Sequence, residues 1–434
     1  MLTSHAVLRA TFIICRVIMQ AMRVSIEAYG CAANQGDASI ACGILEAQGH
    51  EVVGDASLAD VAVVFTCCVI QRTEQRMLHR LHELTEQNVD IIVAGCMPAV
   101  AAEKIADVAP HAAMLGPREV HRIGSLLDGA ALPEDKAGLP RQISLQLDVP
   151  IADGCRYTCS YCITRRARGQ LTSYDEDALV ATAERALQQG CRELRLTCQD
   201  TAAYGMDMDT SLQSLVYRIA MLPGAFRIRV GMMHPLSVIQ RPDVLDVFEH
   251  EKVYDFLHLP LQSGSSSVLH RMRRGYIARD VLDIAAAARE RYPGISISTD
   301  IIVAFPGETE QDFEDTCRAL QRLQPDVVNV TRFSARPGTP AADMEHPDTG
   351  MAKDRSRRLS TLAQDIVRDR MEQRVGSSTM ALLLGERNGV TVAKTDGYHS
   401  VYLPDGEPGT LQRVHITGIE GNHLVGEIDG KEHI

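Results

Sequence analysis

At 434 residues the chain is long enough for two or three domains, and 45% hydrophobic residues is ordinary for domains with packed cores. A net charge of −12 excludes a generally basic nucleic-acid binder, so any RNA contact must come from local basic patches. Twelve cysteines without the layout of a small disulfide framework point to metal or redox use in a reducing compartment, here the cytoplasm.

Residues 6–22 are fairly apolar, but Arg9 and Arg16 interrupt them. The run is too short and too charged to span a membrane and lacks a clean signal-peptide core. Residues 1–22 therefore read as an N-terminal extension, and no membrane contact is expected. Residues 23–128 alternate strand and helix. Val24 to Ala28, Val61 to Thr66 and Asp90 to Ala94 are short β-branched runs, with helical patterns such as Gln71 to Leu84 between them. Such alternation implies a flavodoxin-like parallel sheet covered on both faces, with ligands at the carboxyl ends of the strands. Cys31, Cys67 and Cys96 each follow one of these strands, so the sheet would gather three thiols at one edge. Cys68 adjoins Cys67. Successive strand residues point oppositely, so one of the two is expected to ligate.

Gly129, Pro133, Gly138 and Pro140 mark residues 129–142 as a linker. Strand–helix alternation resumes over 143–372. Six strands are expected, centred near Leu147, Leu196, Ile228, Leu257, Ile301 and Val330. Repeated βα units of this length predict a partial (β/α)6, TIM-like barrel with its site at the carboxyl ends of the strands. Directly after the first strand comes Cys155-Arg-Tyr-Thr-Cys159-Ser-Tyr161-Cys162. No fourth Cys or His follows at zinc-site spacing. Three thiolates on a compact loop suit a cubane iron–sulfur cluster with one iron free of protein ligands. Polar groups crowd the later strand ends, among them Gln199, Asp200, Thr299 and Asp300, which are candidates to bind ribose hydroxyls or an amino-acid moiety. Arg165, Arg166 and Arg168 follow the third cysteine, and Arg273 and Arg274 follow the fourth strand. A solvated face is the bland reading of such charges; phosphate binding near the mouth of the barrel is the functional one. Cys198 is expected to pack as a small hydrophobe, and Cys15, Cys42, Cys191 and Cys317 show no ligand pattern.

Residues 373–434 lose helical periodicity. Five short strand patterns, from Met380 to Ile428, predict a small OB-like β-barrel, a fold that often binds RNA. Arg374, Arg387, Lys394 and Arg413 are its candidate RNA contacts.

Cys155, Cys159, Cys162 and the aromatic Tyr161 resemble the cluster loop of radical S-adenosylmethionine (SAM) enzymes. The resemblance implies a [4Fe-4S] cluster whose open iron chelates SAM and reduces it to methionine and a 5′-deoxyadenosyl radical. Glu193 resembles the family's acidic position beside the SAM ammonium. The fragments around Cys31, Cys67 and Cys96 resemble the N-terminal domain of methylthiotransferases, which implies a second, auxiliary [4Fe-4S] cluster. Cys67, like the family's ligand, follows a Thr, so the resemblance selects it over Cys68; Phe65 stands where that family usually has Asn. The C-terminal barrel, with Lys394-Thr-Asp-Gly-Tyr398, resembles the TRAM domain of tRNA methylthiotransferases. Tyr29 to Asp37, Thr73-Glu74, Thr197 to Gly205 and Gly231-Met-Met-His234-Pro235 resemble the archaeal and eukaryotic branch of that family.

That branch places a methylthio group on C2 of N6-threonylcarbamoyladenosine beside the anticodon of tRNA. The resemblance thus implies tRNA, a ferredoxin- or flavodoxin-type electron donor and a sulfur source as partners, with a monomeric enzyme expected. The alternatives are methylthiolation of isopentenyladenosine in tRNA, of a ribosomal-protein aspartate, or a non-catalytic tRNA-binding scaffold. An aryl C–H resists ordinary general bases, so such a reaction needs a radical cofactor while the protein supplies positioning.

Overall fold

The computed structural model describes residues 21–127 and 129–429. Apart from Ala21 and Met22, the N-terminal extension lies outside the described residues, and so does Cys15.

The first sheet contains strands β1 (Arg23–Ala28), β2 (Glu51–Val53), β3 (Val61–Thr66), β4 (Asp90–Gly95) and β5 (Ala113–Leu115). All pairings are parallel, in the order β2-β1-β3-β4-β5. Strand alternation builds both faces. Val61, Val63 and Phe65 join Ile40, Ile44 and Leu45 of helix α1 (Ala32–Ala47) on one side. Ala62 and Val64 join Met77, Leu81 and Leu84 of helix α2 (Gln71–Glu86) on the other, a stripe at helical spacing. The chain order reverses between β1 and β3, so the crevice beyond their carboxyl ends is the sheet's natural ligand site. The edge strands β2 and β5 were not expected, because three residues carry too little alternation to be read. The short helices α3 (Cys96–Val100) and α4 (Ala102–Val108) follow β4.

The second unit begins with β6 (Gln146–Pro150). Two-residue strands β7 (Ala152–Asp153) and β8 (Thr172–Ser173) flank the cysteine loop and helix α5 (Thr164–Arg168). The parallel strands β9 (Glu193–Thr197), β10 (Arg227–Val230), β11 (Phe256–His258), β12 (Ser296–Val303) and β13 (Val327–Arg332) follow, with helices between them. The sheets run β10-β9-β6 and β11-β12-β13, and a parallel bridge from Ile228 to Val253 joins them. Six parallel strands thus stand in chain order around one core that includes Leu147, Leu196, Ile228, Leu257 and Ile301. Among the described residues no ladder joins β6 to β13.

Strands β14 (Ser378–Arg387), β15 (Val390–Thr395), β16 (Ser400–Leu403), β17 (Leu411–Glu420) and β18 (His423–Ile428) close a small barrel in the order β14-β15-β16-β18-β17. Register shifts at Leu383/Gly385 and Ile416/Gly418 bend the two long strands enough to close it. This barrel rests on the amino ends of the core strands. Asp396 pairs with Arg227 at 3.0 Å, Tyr398 packs on Tyr254 and Phe256, and His399 Nε2 meets Ser296 Oγ at 2.8 Å. Among the described residues no helix is long and apolar enough to cross a membrane.

Burial, with Arg374 beside it, pushes the His399 imidazole down to about 3. Between that value and the ordinary histidine pKa of about 6.5, the unfolded chain binds a proton that the folded chain refuses. Stability is therefore lost as pH falls from 7 towards 4. We expect the melting temperature of His399→Gln to fall less steeply over that range than that of the native chain.

Candidate active site

Cys31 begins α1, Cys67 and Cys68 leave β3, and Cys96 opens α3, so all lie at the carboxyl edge of the first sheet. Gly95 makes the last of these turns possible. Its φ is +88°, and a Cβ there would stand 2.6 Å from the Thr66 carbonyl. Asn34, fully buried, ties the strand ends together: its Nδ2 donates to the carbonyls of Tyr29 at 2.8 Å and Thr66 at 2.9 Å. Thr66 Oγ1 in turn donates to the Ala94 carbonyl. Cys31 is exposed, whereas Cys67, Cys68 and Cys96 are buried. Cys67 feels both Cys31 and Cys96, and burial pushes its thiol up to about 11. Cys68 hydrogen-bonds Cys96, which that bond and the nearby Arg168 charge hold below the ordinary thiol range.

The loop of Cys155, Cys159 and Cys162 opens at Gly154. Its φ is +79°, and a Cβ there would collide with the Gln170 carbonyl. Gln199 Oε1 accepts the Gly154 N–H at 2.6 Å, and Cys155 N–H reaches the Gly169 carbonyl. Arg274, buried, donates to Cys159 Sγ at 3.2 Å and to Tyr161 Oη at 3.4 Å. Burial pushes the Cys155 thiol up to about 12. Among the described residues no three Cys, His, Asp or Glu side chains grip a single metal ion. A cube of irons takes its thiolates at separate corners instead, and three thiols per set, with no fourth ligand, fit such a cube with one open iron.

Between the two sets lies a buried ion cluster. Lys136 Nζ donates to Asp37 Oδ1 at 2.7 Å, Asp153 Oδ2 at 2.6 Å and the Pro117 carbonyl at 2.6 Å. Arg168 pairs with Asp153 Oδ1 at 2.5 Å and Asp37 Oδ2 at 2.9 Å, and donates to Asn34 Oδ1 at 2.9 Å. Tyr174 Oη donates to Asp153 at 2.7 Å. All four charged side chains are no more than 2% exposed. Burial alone would raise the Asp153 carboxyl, but Lys136 and Arg168 hold it well below the usual carboxylate range.

Several expected positions sit elsewhere. Glu193 opens β9, at the amino end of the strand, where Gln146 hydrogen-bonds it and the C-terminal barrel covers it. A five-residue strand of about 3.3 Å per residue separates it from the cysteine loop, so it cannot hold the SAM ammonium. Arg168 and Arg274 are buried beside the cysteines and are not RNA contacts. Lys394 lies over the Tyr398 ring at 4.4 Å, and burial pushes it down to about 8. Arg374 is spent on Asp326 at 3.0 Å. These cations were expected to contact RNA because local sequence does not show what covers them. Thr299 is fully buried, with its hydroxyl committed to the Leu259 carbonyl and the Leu261 N–H. It spaces the strands and does not face a ligand.

Other expected residues do converge. Gln199 and Asp200 leave β9 beside the cysteine loop, and Asp200, raised to about 6 by burial, accepts from His234 N–H and Ser237 Oγ. Asp300 pairs with His258 Nε2 at 3.0 Å and accepts from Asn329 Nδ2 at 2.8 Å. Arg166 and Arg273 are exposed and Arg165 half-buried. Arg387 lines a groove on the small barrel with Tyr402 and His423, whose rings lie 4.5 Å apart. Sequence reasoning quoted Asn34, Asp37 and His234 only inside longer motifs, without a role, and missed Lys136 and Asp153 altogether. Lys136 meets Asp37 across 99 positions, a separation that leaves no local pattern.

Residues 149–320 match the Radical SAM superfamily, and residues 23–116 match the family described as Uncharacterized protein family UPF0004. The radical SAM methyltransferase TsrM from Kitasatospora setae shares the fold at TM-score 0.56 and 14% identity, over 74% of this chain and 76% of that one. Among curated proteins, the "Probable threonylcarbamoyladenosine tRNA methylthiotransferase" of Methanothermobacter thermautotrophicus is 37% identical over 94% of this chain and its own full length. The threonylcarbamoyladenosine tRNA methylthiotransferase of Drosophila melanogaster is 32% identical over 95% of this chain and 78% of its own. The chain belongs to the threonylcarbamoyladenosine tRNA methylthiotransferase family.

Removing one partner of a buried charge pair typically costs about 3–5 kcal/mol, because the other charge is left uncompensated. Lys136→Met leaves Asp37 and Asp153 sharing Arg168 alone. We expect a loss in that range in chemical denaturation, whereas an exposed control such as Arg357→Met should change little.

Proposed function

We propose that this protein adds a methylthio group to C2 of N6-threonylcarbamoyladenosine in tRNA, beside the anticodon. The observation that carries the reading is the meeting of two complete three-cysteine sets, each at the carboxyl edge of its own parallel sheet, across one buried ion cluster. Family membership supports the substrate.

Cys155, Cys159 and Cys162 would hold the cluster that binds SAM, and Cys31, Cys67 and Cys96 the auxiliary one. Cys67 is preferred over Cys68 because its side chain lies against Gly30, the residue before Cys31. When bound, the clusters and SAM supply the one-electron chemistry and the methylated sulfur. The chain's own residues position these groups. Gln199 fixes the turn before Cys155, and Arg274 braces Cys159 and Tyr161. Tyr161, Asp200 and Asp300 would contact SAM. The exposed Arg166 and Arg273, with Arg165, would meet tRNA phosphates at the carboxyl rim; Arg387, Tyr402 and His423 give the small barrel a stacking surface.

We divide the chain into the auxiliary-cluster domain (23–128), a linker (129–142), a TIM-like radical SAM part-barrel (143–372) and an OB-like TRAM barrel (373–434). A ferredoxin- or flavodoxin-type donor and a sulfur source complete the reaction, carried out by a monomer in the cytoplasm.

The test is anaerobic. Protein reconstituted with iron and sulfide is given SAM, a reductant and tRNA carrying threonylcarbamoyladenosine, and the digested nucleosides are read by mass spectrometry. A methylthio mass gain on that nucleoside is expected. Cys155→Ala should abolish 5′-deoxyadenosine formation, whereas Cys67→Ala should keep it and lose the tRNA product. Deoxyadenosine without any tRNA product from the native protein would overturn the substrate assignment.

A further inference from the structure

Arg168, like Lys136, touches both halves of the site. Its Nη1 donates to Asp153, and its Nη2 to Asp37 and Asn34. Asp153 lies two residues before Cys155 in the turn that opens the radical SAM loop, and Asn34 ties the strand ends that carry Cys31 and Cys67. The helix bearing Arg168 packs into the same core as Cys67, Cys68 and Cys96, through Ile163 and Ala167. Arg168 Nε–H is buried and has no acceptor among the described residues. A buried donor left unpaired costs roughly 1–3 kcal/mol, so native proteins rarely keep one without a use. The guanidinium charge is felt at all three auxiliary cysteines, Cys31, Cys67 and Cys96. The unpaired donor thus sits within the reach of the charge of the auxiliary cysteines.

We infer that Arg168 is a positioning residue of the auxiliary site: its Nε–H donates to a sulfur of the cluster held by Cys31, Cys67 and Cys96, while its Nη atoms clamp the turn that carries Cys155. The inference rests on the two-cluster reading above. Hydrogen bonds and positive charge at cluster sulfurs stabilise the reduced, more negative state and raise the reduction potential. Arg168 thus links the electronics of one cluster to the backbone that holds the other.

The test uses the full chain with Cys155, Cys159 and Cys162 changed to Ala, so that only the auxiliary cluster assembles, grown on 15N-arginine. Iron and sulfide content is measured first. Pulsed EPR of the reduced cluster should then detect a 15N coupling that Arg168→Lys abolishes. A cluster without any 15N coupling overturns the inference and leaves the two-cluster reading intact. A coupling that survives Arg168→Lys belongs to another guanidinium, such as that of Arg336 near Cys68, and overturns it equally. Absence of any cluster overturns the two-cluster reading and this inference together. Potentiometry provides a second readout: loss of Arg168 should shift the auxiliary cluster to a more negative potential. Because Arg168→Gln leaves two carboxylates facing Lys136, the charge-balanced R168Q/D37N chain is compared with D37N alone. An unchanged potential in that pair reduces Arg168 to a structural ion pair and overturns the proposal.

Discussion

Two positive and two negative side chains, all shut away from water, hold this molecule's two cysteine sets in register. Asp37 comes from the first sheet domain, Lys136 from the connection, and Asp153 and Arg168 from either side of the radical SAM loop. Burying four charges is unfavourable in itself, and a packed apolar cluster of the same volume could be more stable. What charges add is direction. Each oxygen of Asp37 and Asp153 has its own donor, so a small rotation of one domain against the other breaks several bonds at once. An apolar interface would tolerate such a slip. We therefore read the cluster as the device that sets the relative placement of the two sites.

That placement has a direction along the strands. Both cysteine sets stand at carboxyl ends, where parallel sheets leave a crevice. The C-terminal barrel occupies the opposite end, packed on Arg227, Phe256 and Ser296 near the strand starts. Its inward-facing polar groups, Lys394 and His399 among them, belong to that contact, and burial shifts both towards their neutral forms. A substrate that touches both the outer barrel groove and the cysteine edge must be long enough to run the height of the core. A folded RNA meets that requirement, whereas a free nucleoside does not.

The strand–helix alternation, the six core strands and the five barrel strands could all be read from local patterns, because each element carries its own apolar period. The cysteine edge could be read too, since topology alone sends Cys31, Cys67 and Cys96 to one side of a parallel sheet. The functions of individual charges were not legible. Arg165, Arg166 and Arg168 are near neighbours in sequence, yet Arg166 faces solvent while Arg168 is sealed between domains, because a helix turn points them oppositely. Glu193 matched a motif in type but stands at the wrong end of its strand. Asp37 and Lys136 are 99 residues apart, a separation at which no spacing rule operates.

The central claim is that the two three-cysteine sets hold clusters close enough to work on one substrate. Magnetic interaction between them reports this directly. EPR of the native chain with both clusters reduced should show spin–spin splitting that is absent from the Cys155→Ala and Cys67→Ala chains, each keeping one cluster. A native spectrum equal to the plain sum of those two would mean that the sites stand apart, and would contradict the account.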